Sequence, residues 1–119
     1  MTDNTLRVSL ITPTYNEREN IPILAEEIFS VIGSEPDIDV ELIVVDDNSP
    51  DGTGEVAEGL KETYPLQVVH RAGKLGLGSA VMEGFALSDR EYIGVIDADL
   101  SPDPSILPQL IHGLREYDI

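Results

Sequence analysis

Two carboxylates stand two residues apart at positions 97 and 99, inside the stretch YIGVIDADLSPDP over residues 92–104. Tyr92, Ile93, Val95 and Ile96 make the run before them apolar, and Ser101, Pro102 and Pro104 break the chain after them. An ionised carboxylate resists leaving water unless it is paired, hydrogen-bonded or bound to a cation. In an extended chain, residues i and i+2 point to the same side. Asp97 and Asp99 can therefore converge on one point at the lip of a strand, and a divalent cation is the obvious occupant. Oxygen donors of this kind suit Mg2+ or Mn2+. The same acids could instead cap a turn ahead of a proline-rich helix start, or remain solvated loop charge.

The stretch RAGKLGLGSA (71–80) holds Arg71 and Lys74, two of only 7 basic residues. They lie beside a helix start, where free N–H groups and the helix dipole favour an anion. In a chain this acidic, a local positive spot suggests a diphosphate, which a metal at Asp97 and Asp99 would bridge and neutralise. The other reading is a solvent-exposed turn whose glycines shape the helix entry, since Gly-x-Gly alone is a weak signal. In DDNSPDGT (46–53), residues 48–52 are turn formers, and Asp51 or Thr53 can cap the following helix. Capping leaves Asp46 and Asp47 unexplained. A carboxylate at a parallel strand end can accept hydrogen bonds from a nucleobase or ribose. TPTYNE (12–17) adds Tyr15, Asn16 and Glu17, as pocket rim or as turn residues.

Four elements of one kind must hold these stretches. LRVSLIT (6–12), VELIVVD (40–46), LQVVH (66–70) and YIGVID (92–97) read as strands. Between them, 19–32, 53–64 and 77–88 read as helices, and 105–116 as a fourth with Pro108 in its first turn. Asn20 is the expected N-cap of the first helix, with Ile21, Leu24, Ile28 and Val31 at helical spacing and Gly33 as its stop. Pro65 is expected to end the second. The order βαβαβαβα, with strands apolar on both faces, predicts an α/β fold with a mainly parallel sheet covered by helices on both sides. Ligands bind such sheets at the carboxyl ends of the strands, where all four polar stretches fall.

At 119 residues the chain is one modest domain with a core. No run of about 18 apolar residues is present, and no basic region followed by a long apolar stretch opens the chain. With no cysteine, disulfides and thiolate metal sites are excluded. These features set a cytoplasmic location as the default. Formal net charge is −16, from 23 acidic and 7 basic residues. That argues against nucleic-acid binding and against docking on an anionic membrane. It suits a heavily solvated surface, and a salt-adapted source is the expectation, testable as loss of folding in low salt.

PTYNEREN, VVDDNSPDGT, R-x-x-K-x-G-L-G-S-A and DADLS, in that order, resemble the nucleotide-binding half of inverting family 2 glycosyltransferases with the GT-A (Rossmann-like) fold. The wording DNSPDGT resembles the dolichol-phosphate mannosyltransferase branch, and the likeness runs from about residue 8 to 108. The resemblance implies that Pro13, Tyr15, Glu17, Asp46 and Asp47 line a nucleoside pocket, with Asn48 supporting that loop. It implies that Arg71, Lys74 and Gly78 lie near the nucleotide-sugar. It makes Asp97 and Asp99 the catalytic, DxD-type metal site for Mg2+ or Mn2+, with Ser101 near the metal. Ser101 is a poorer ligand than the amide of some relatives, and Pro102 and Asp103 stand where some eukaryotic relatives carry two histidines. The implied reaction moves mannose from GDP-mannose to dolichyl (polyprenyl) phosphate with inversion. The acceptor phosphate is its own nucleophile there, so positioning and charge neutralisation carry the catalysis.

The family's catalytic domain continues past the helix after the fourth strand. Residues 1–119 are therefore expected to be the donor-binding N-terminal part of an incomplete domain, with little transferase activity alone. Any attachment at the cytoplasmic face of a membrane would come from parts outside this chain. The alternative within the family is an enzyme using UDP-sugars, such as a dolichol-phosphate glucose synthase. A phospho-receiver domain carries its acid pair after the first strand, whereas here the pair follows the second. Phosphatases of the haloacid-dehalogenase type carry D-x-D on the first strand, and here it follows 96 residues. A nicotinamide-binding domain needs its glycine-rich turn after strand one, where TPTYNE stands.

Overall fold

The computed structural model describes residues 5–73 and 76–99, together with 108 and 111. Lys74, Ser101 and most of the helix expected over 105–116 lie outside them, although Pro108 and Ile111 are both helical. Strand β1 (Leu6–Thr14), helix α1 (Asn20–Ile32), β2 (Ile38–Asp46), α2 (Thr53–Leu60), β3 (Leu66–His70), α3 (Leu77–Leu87) and β4 (Tyr92–Val95) follow in alternation.

All strand pairs are parallel, in the order β3-β2-β1-β4. The chain thus steps outward from β1 to β3 and then returns to the other side of β1, which makes the β1 end a topological switch point. Side chains alternate across the sheet. Leu6, Val8, Leu10, Leu42 and Val44 pack with Ile21, Leu24, Ile28 and Ala57 of α1 and α2. Ile11, Ile43 and Val45 pack with Ala80 of α3 on the opposite face. The expected two-sided parallel sheet is what forms.

Alpha3 reaches the sheet through its smallest residues. A Cβ on Gly84 would come within 2.7 Å of Ile11 Cγ2, and Ile11 is wholly buried. The helix rides so close to β1 because nothing stands between them. Its other flank exposes Leu77, Met82, Phe85 and Leu87. Among the described residues no helix is long and apolar enough to cross a membrane.

Several boundaries differ from the sequence expectation. Beta1 runs two residues longer, through Pro13. Proline lacks an N–H and is normally kept out of central strands. Ile11 turns its carbonyl towards β4, accepting from Ile96 N at 2.9 Å, so by alternation Pro13 faces the same side. The pairing with β4 ends at Ile11–Val95, and no ladder bond is lost there. Beta4 itself stops at Val95 rather than at 97, with Asp97 outside it.

Helix α2 ends at Leu60 instead of 64. Pro65 disfavours a helical Tyr64, and the Tyr64 ring instead stacks on Phe29 of α1 at a centroid distance of 5.2 Å. Asn20 is not the cap of α1: that position is Glu19, without a side-chain bond, and the Asn20 amide donates to Glu17 Oε2 at 2.9 Å. Val31 is only half-buried, and Ala25 and Ile32 face the core with Ile21, Leu24 and Ile28.

Candidate functional site

The loops after β1 and β2 are fastened to each other by residues of the DDNSPDGT stretch. Asp46, 2% exposed, accepts from Thr14 Oγ1 at 2.8 Å, from Ser49 N at 3.0 Å and from Ser49 Oγ at 2.6 Å. Ser49 Oγ in turn accepts from Asn16 N at 3.0 Å, and Thr53 Oγ1 accepts from Glu17 N at 2.9 Å. Asp51 accepts from Arg18 N at 3.2 Å and from Thr53 N at 3.0 Å. Side chains of one loop therefore satisfy three consecutive N–H groups of the other, which no secondary structure would satisfy.

This clamp holds two asparagines in the left-handed region, Asn16 at φ 58° and Asn48 at φ 57°. Asparagine is among the few residues with a side chain that tolerate that conformation. Alpha2 starts directly under the clamp. A Cβ on Gly54 would lie 2.9 Å from His70 Nδ1 and 3.2 Å from Asp46 Oδ2, so only glycine lets the helix begin this near the strand ends.

Burial pushes the Asp51 carboxyl up, but the hydrogen bonds from the Thr53 hydroxyl and from the Arg18 and Thr53 N–H groups outweigh it and leave the group below its usual value. A carboxyl lowered in the folded state adds stability that is full above its unfolded value and is lost as pH falls through the folded one. Asp51→Asn is accordingly expected to lower the melting temperature at pH 7, because an amide nitrogen cannot accept from Arg18 N–H. The difference from wild type should shrink as pH drops below about 4. A thermal-denaturation series against pH checks this, and a difference constant down to pH 3 would contradict it.

Asp47 points the other way. A cleft of about 150 Å3 is lined by Pro13, Thr14, Tyr15, Asp47, Gly76, Leu77 and Ala80. It lies at the carboxyl end of β1, between the loop after β2 and the start of α3. Tyr15 is 40% exposed on its rim. Of the residues the sequence pointed to, the cleft brings together Pro13, Tyr15 and Asp47. Asp46 sits beneath in the clamp, and Glu17 opens into a neighbouring polar cleft with Asn16, Arg18, Glu19, Asn20, Pro50 and Asp51. Asn48 lies on the loop surface, its amide 3.5 Å from Ala72 O. Gly78 is exposed in the first turn of α3.

Thr14, Ser49, Gly76, Leu77, Ser79 and Ala80 are site residues that sequence reasoning missed. Periodicity would have placed Ala80 on the inner face of α3, but the others depend on pairing between loops.

Arg71 bonds two residues that line the cleft, Asp47 and Gly76. Its side chain is 1% exposed and meets Asp47 side-on, Nε donating to Oδ1 at 2.6 Å and Nη2 to Oδ2 at 3.2 Å. Nη2 also donates to Gly76 O at 3.1 Å, and Nη1 to Ser79 Oγ at 2.7 Å. The hydrogen bond to Asp47 raises the guanidinium above its usual value against the opposing effect of burial.

Beyond β4, burial alternates. Ile96 and Ala98 are 6% and 3% exposed and join the core, whereas Asp97 and Asp99 face solvent. The chain turns at 98–99, so the extended geometry on which the two acids were expected to converge is not what forms there, and both are exposed. Because β4 pairs with β1, they emerge at the same sheet edge as the cleft. Two exposed carboxylates fit a hard cation that takes its remaining ligands from water and phosphate. No group of three or more His, Cys, Asp or Glu is assembled among the described residues.

A parallel, Rossmann-like sheet whose carboxyl edge presents an aromatic-rimmed cleft and an acid pair has the GT-A glycosyltransferase architecture. A mannosyltransferase from Pyrobaculum calidifontis, solved in complex with GDP-Man and Mn2+, superposes with a TM-score of 0.72 at 30% identity, over 92% of this chain and 32% of that one. The model of glycosyl transferase family 2 matches residues 9–119, and the chain belongs to that family. The dolichol-phosphate mannosyltransferase of Pyrococcus furiosus is 43% identical over 111 residues, covering 92% of this chain and 30% of that protein. The Saccharomyces cerevisiae protein of the same name is 35% identical over 113 residues, covering 94% and 42%. The chain thus spans less than half the length of either curated relative.

Proposed function

We propose that this chain is the donor-binding part of a metal-dependent glycosyltransferase that moves mannose from GDP-mannose to a dolichyl or other polyprenyl phosphate with inversion. The observation that carries the reading is the convergence, at one edge of the sheet, of the Asp47–Tyr15 cleft with the outward acid pair Asp97–Asp99. The mannosyltransferase solved with GDP-Man and Mn2+ and the two curated relatives support it.

In this reading the cleft takes the nucleoside. Tyr15 offers its ring face, and Asp47 offers acceptors to N–H donors of the base. Asp97 and Asp99 would hold Mg2+ or Mn2+, which when bound supplies positive charge to the diphosphate. The clamp between the first two loops keeps Tyr15 and Asp47 in register before donor arrives, so little ordering is left to the binding step. The acceptor phosphate brings its own nucleophilic oxygen, and the protein's contribution is orientation.

The base distinguishes this reading from a UDP-sugar enzyme. Equilibrium dialysis with GDP-mannose and UDP-glucose, each with Mn2+, should show GDP-mannose bound at least about tenfold more tightly, a difference of about 1.4 kcal/mol. Preference for UDP-glucose would overturn the mannose assignment.

A further inference from the structure

Arg71 sits beside a helix start in an otherwise acidic chain, a placement that invites a role as a phosphate ligand. Its surroundings give it another. We infer that Arg71 is a positioning residue: it fixes Asp47 for contact with the base and acts on a bound nucleotide only through that carboxylate. The inference rests on the function proposed above and deepens its account of the cleft.

A guanidinium has five N–H donors in a fixed plane and no acceptor. Here Nε and one Nη2 hydrogen meet the two oxygens of Asp47. The other Nη2 hydrogen meets Gly76 O, Nη1 donates to Ser79 Oγ, and Nη1 also faces Glu83 Oε1 at 3.5 Å. The side chain is 1% exposed. Every N–H of the guanidinium thus faces a partner within the chain, and withdrawing those on Asp47 would strand a largely buried carboxylate.

Asp47 lines the cleft, its side chain 10% exposed. Side-on pairing with Arg71 takes one edge of the carboxylate and leaves the other lone pairs for a ligand. An ionised carboxylate only accepts. The lone pairs left on the two oxygens diverge, so each meets a single N–H donor, such as N1–H or one N2 hydrogen of guanine. The same guanidinium reaches Gly76 and Ser79, so it also sets the distance between Asp47 and the start of α3, which form opposite walls of the cleft.

Guanosine and GDP separate the two roles, because only GDP carries phosphate. Both would be titrated calorimetrically into the 119-residue chain as wild type, Arg71→Lys, Ser79→Ala and Asp47→Asn, and as Arg71→Lys combined with Asp47→Asn. Lysine keeps the charge but cannot bridge both oxygens. Arg71→Lys is expected to weaken guanosine and GDP by the same factor, about tenfold or more, and to have no further effect once Asp47 is Asn.

Ser79→Ala removes one anchor at the helix surface. It is expected to weaken both ligands equally by a smaller factor, and it carries the test should Arg71→Lys fail to fold. A loss confined to GDP, a loss that persists beside Asp47→Asn, or unchanged affinity for both ligands would overturn the positioning role while leaving the proposed function standing. Failure of the wild type to bind either ligand would overturn both.

Discussion

Replacing Arg71 with alanine is expected to cost about 3–5 kcal/mol of folding stability, the range for breaking one partner out of a buried ion pair. Asp47 would keep its place near the end of β2 with no cation against it, and the Gly76 carbonyl and Ser79 hydroxyl would lose their donor. A domain of this size is stable by only about 5–15 kcal/mol. The change should therefore lower the melting temperature by more than about 10 °C. Asp47→Ala combined with Arg71→Ala should recover part of the loss, since the desolvated charge is then gone. A single variant within about 1 kcal/mol of wild type would show that water, not Arg71, satisfies Asp47.

Asp46→Ala is the second large effect, at about 3 kcal/mol. The carboxylate receives three donors from two residues, and each bond to a charged group is worth about 1.5–3 kcal/mol before relaxation. Thr14, 3% exposed, would keep a buried hydroxyl without its acceptor. The consequences should extend beyond stability. Ser49 loses both of its bonds to Asp46 and with them its aim at Asn16 N, so Tyr15 should lose its fixed place on the cleft rim. Asp46→Asn keeps the shape and one acceptor oxygen, and should fall between the two. Urea denaturation of the three proteins checks the order, and an Asn variant as unstable as Ala would point to the charge itself rather than to the bonds.

The sheet was legible because its signals are local. Beta3 matches its expected bounds, since Pro65 and Arg71 bracket five residues with nothing ambiguous between them. The start of α3 after Gly76 was equally plain. Errors arose where tertiary contacts decide. Tyr64 leaves the helical path to stack on Phe29, 35 residues away in sequence by their numbering. Thr14 joins β1 because Asp46, its register partner on β2, holds it there.

Residue types told which loops would be polar, but not which acids would be spent within the protein. Asp46 and Asp47 are neighbours in sequence, yet one anchors a clamp and the other lines a cleft. The distinction follows from the pleat and from partners in two other loops. Arg71 likewise looks like free positive charge until the ends of β2 and β3 bring Asp47 against it. The exposure of Asp97 and Asp99 was readable because alternation of Ile96 and Ala98 into the core is itself a local pattern. Lys74 and Ser101 lie outside the described residues.

The central claim is that the acid pair and the cleft make one site, in which a divalent cation and a guanine nucleotide-sugar bind together. Calorimetric titration of GDP-mannose into the chain in high salt, with and without Mn2+, tests it most directly, with Asp99→Ala as the comparison and circular dichroism confirming the fold. Binding that requires Mn2+ in the wild type and falls at least about a hundredfold in Asp99→Ala, a loss of about 2.7 kcal/mol, is the predicted result. Binding of equal strength with and without the metal, or unaffected by Asp99→Ala, would contradict the claim.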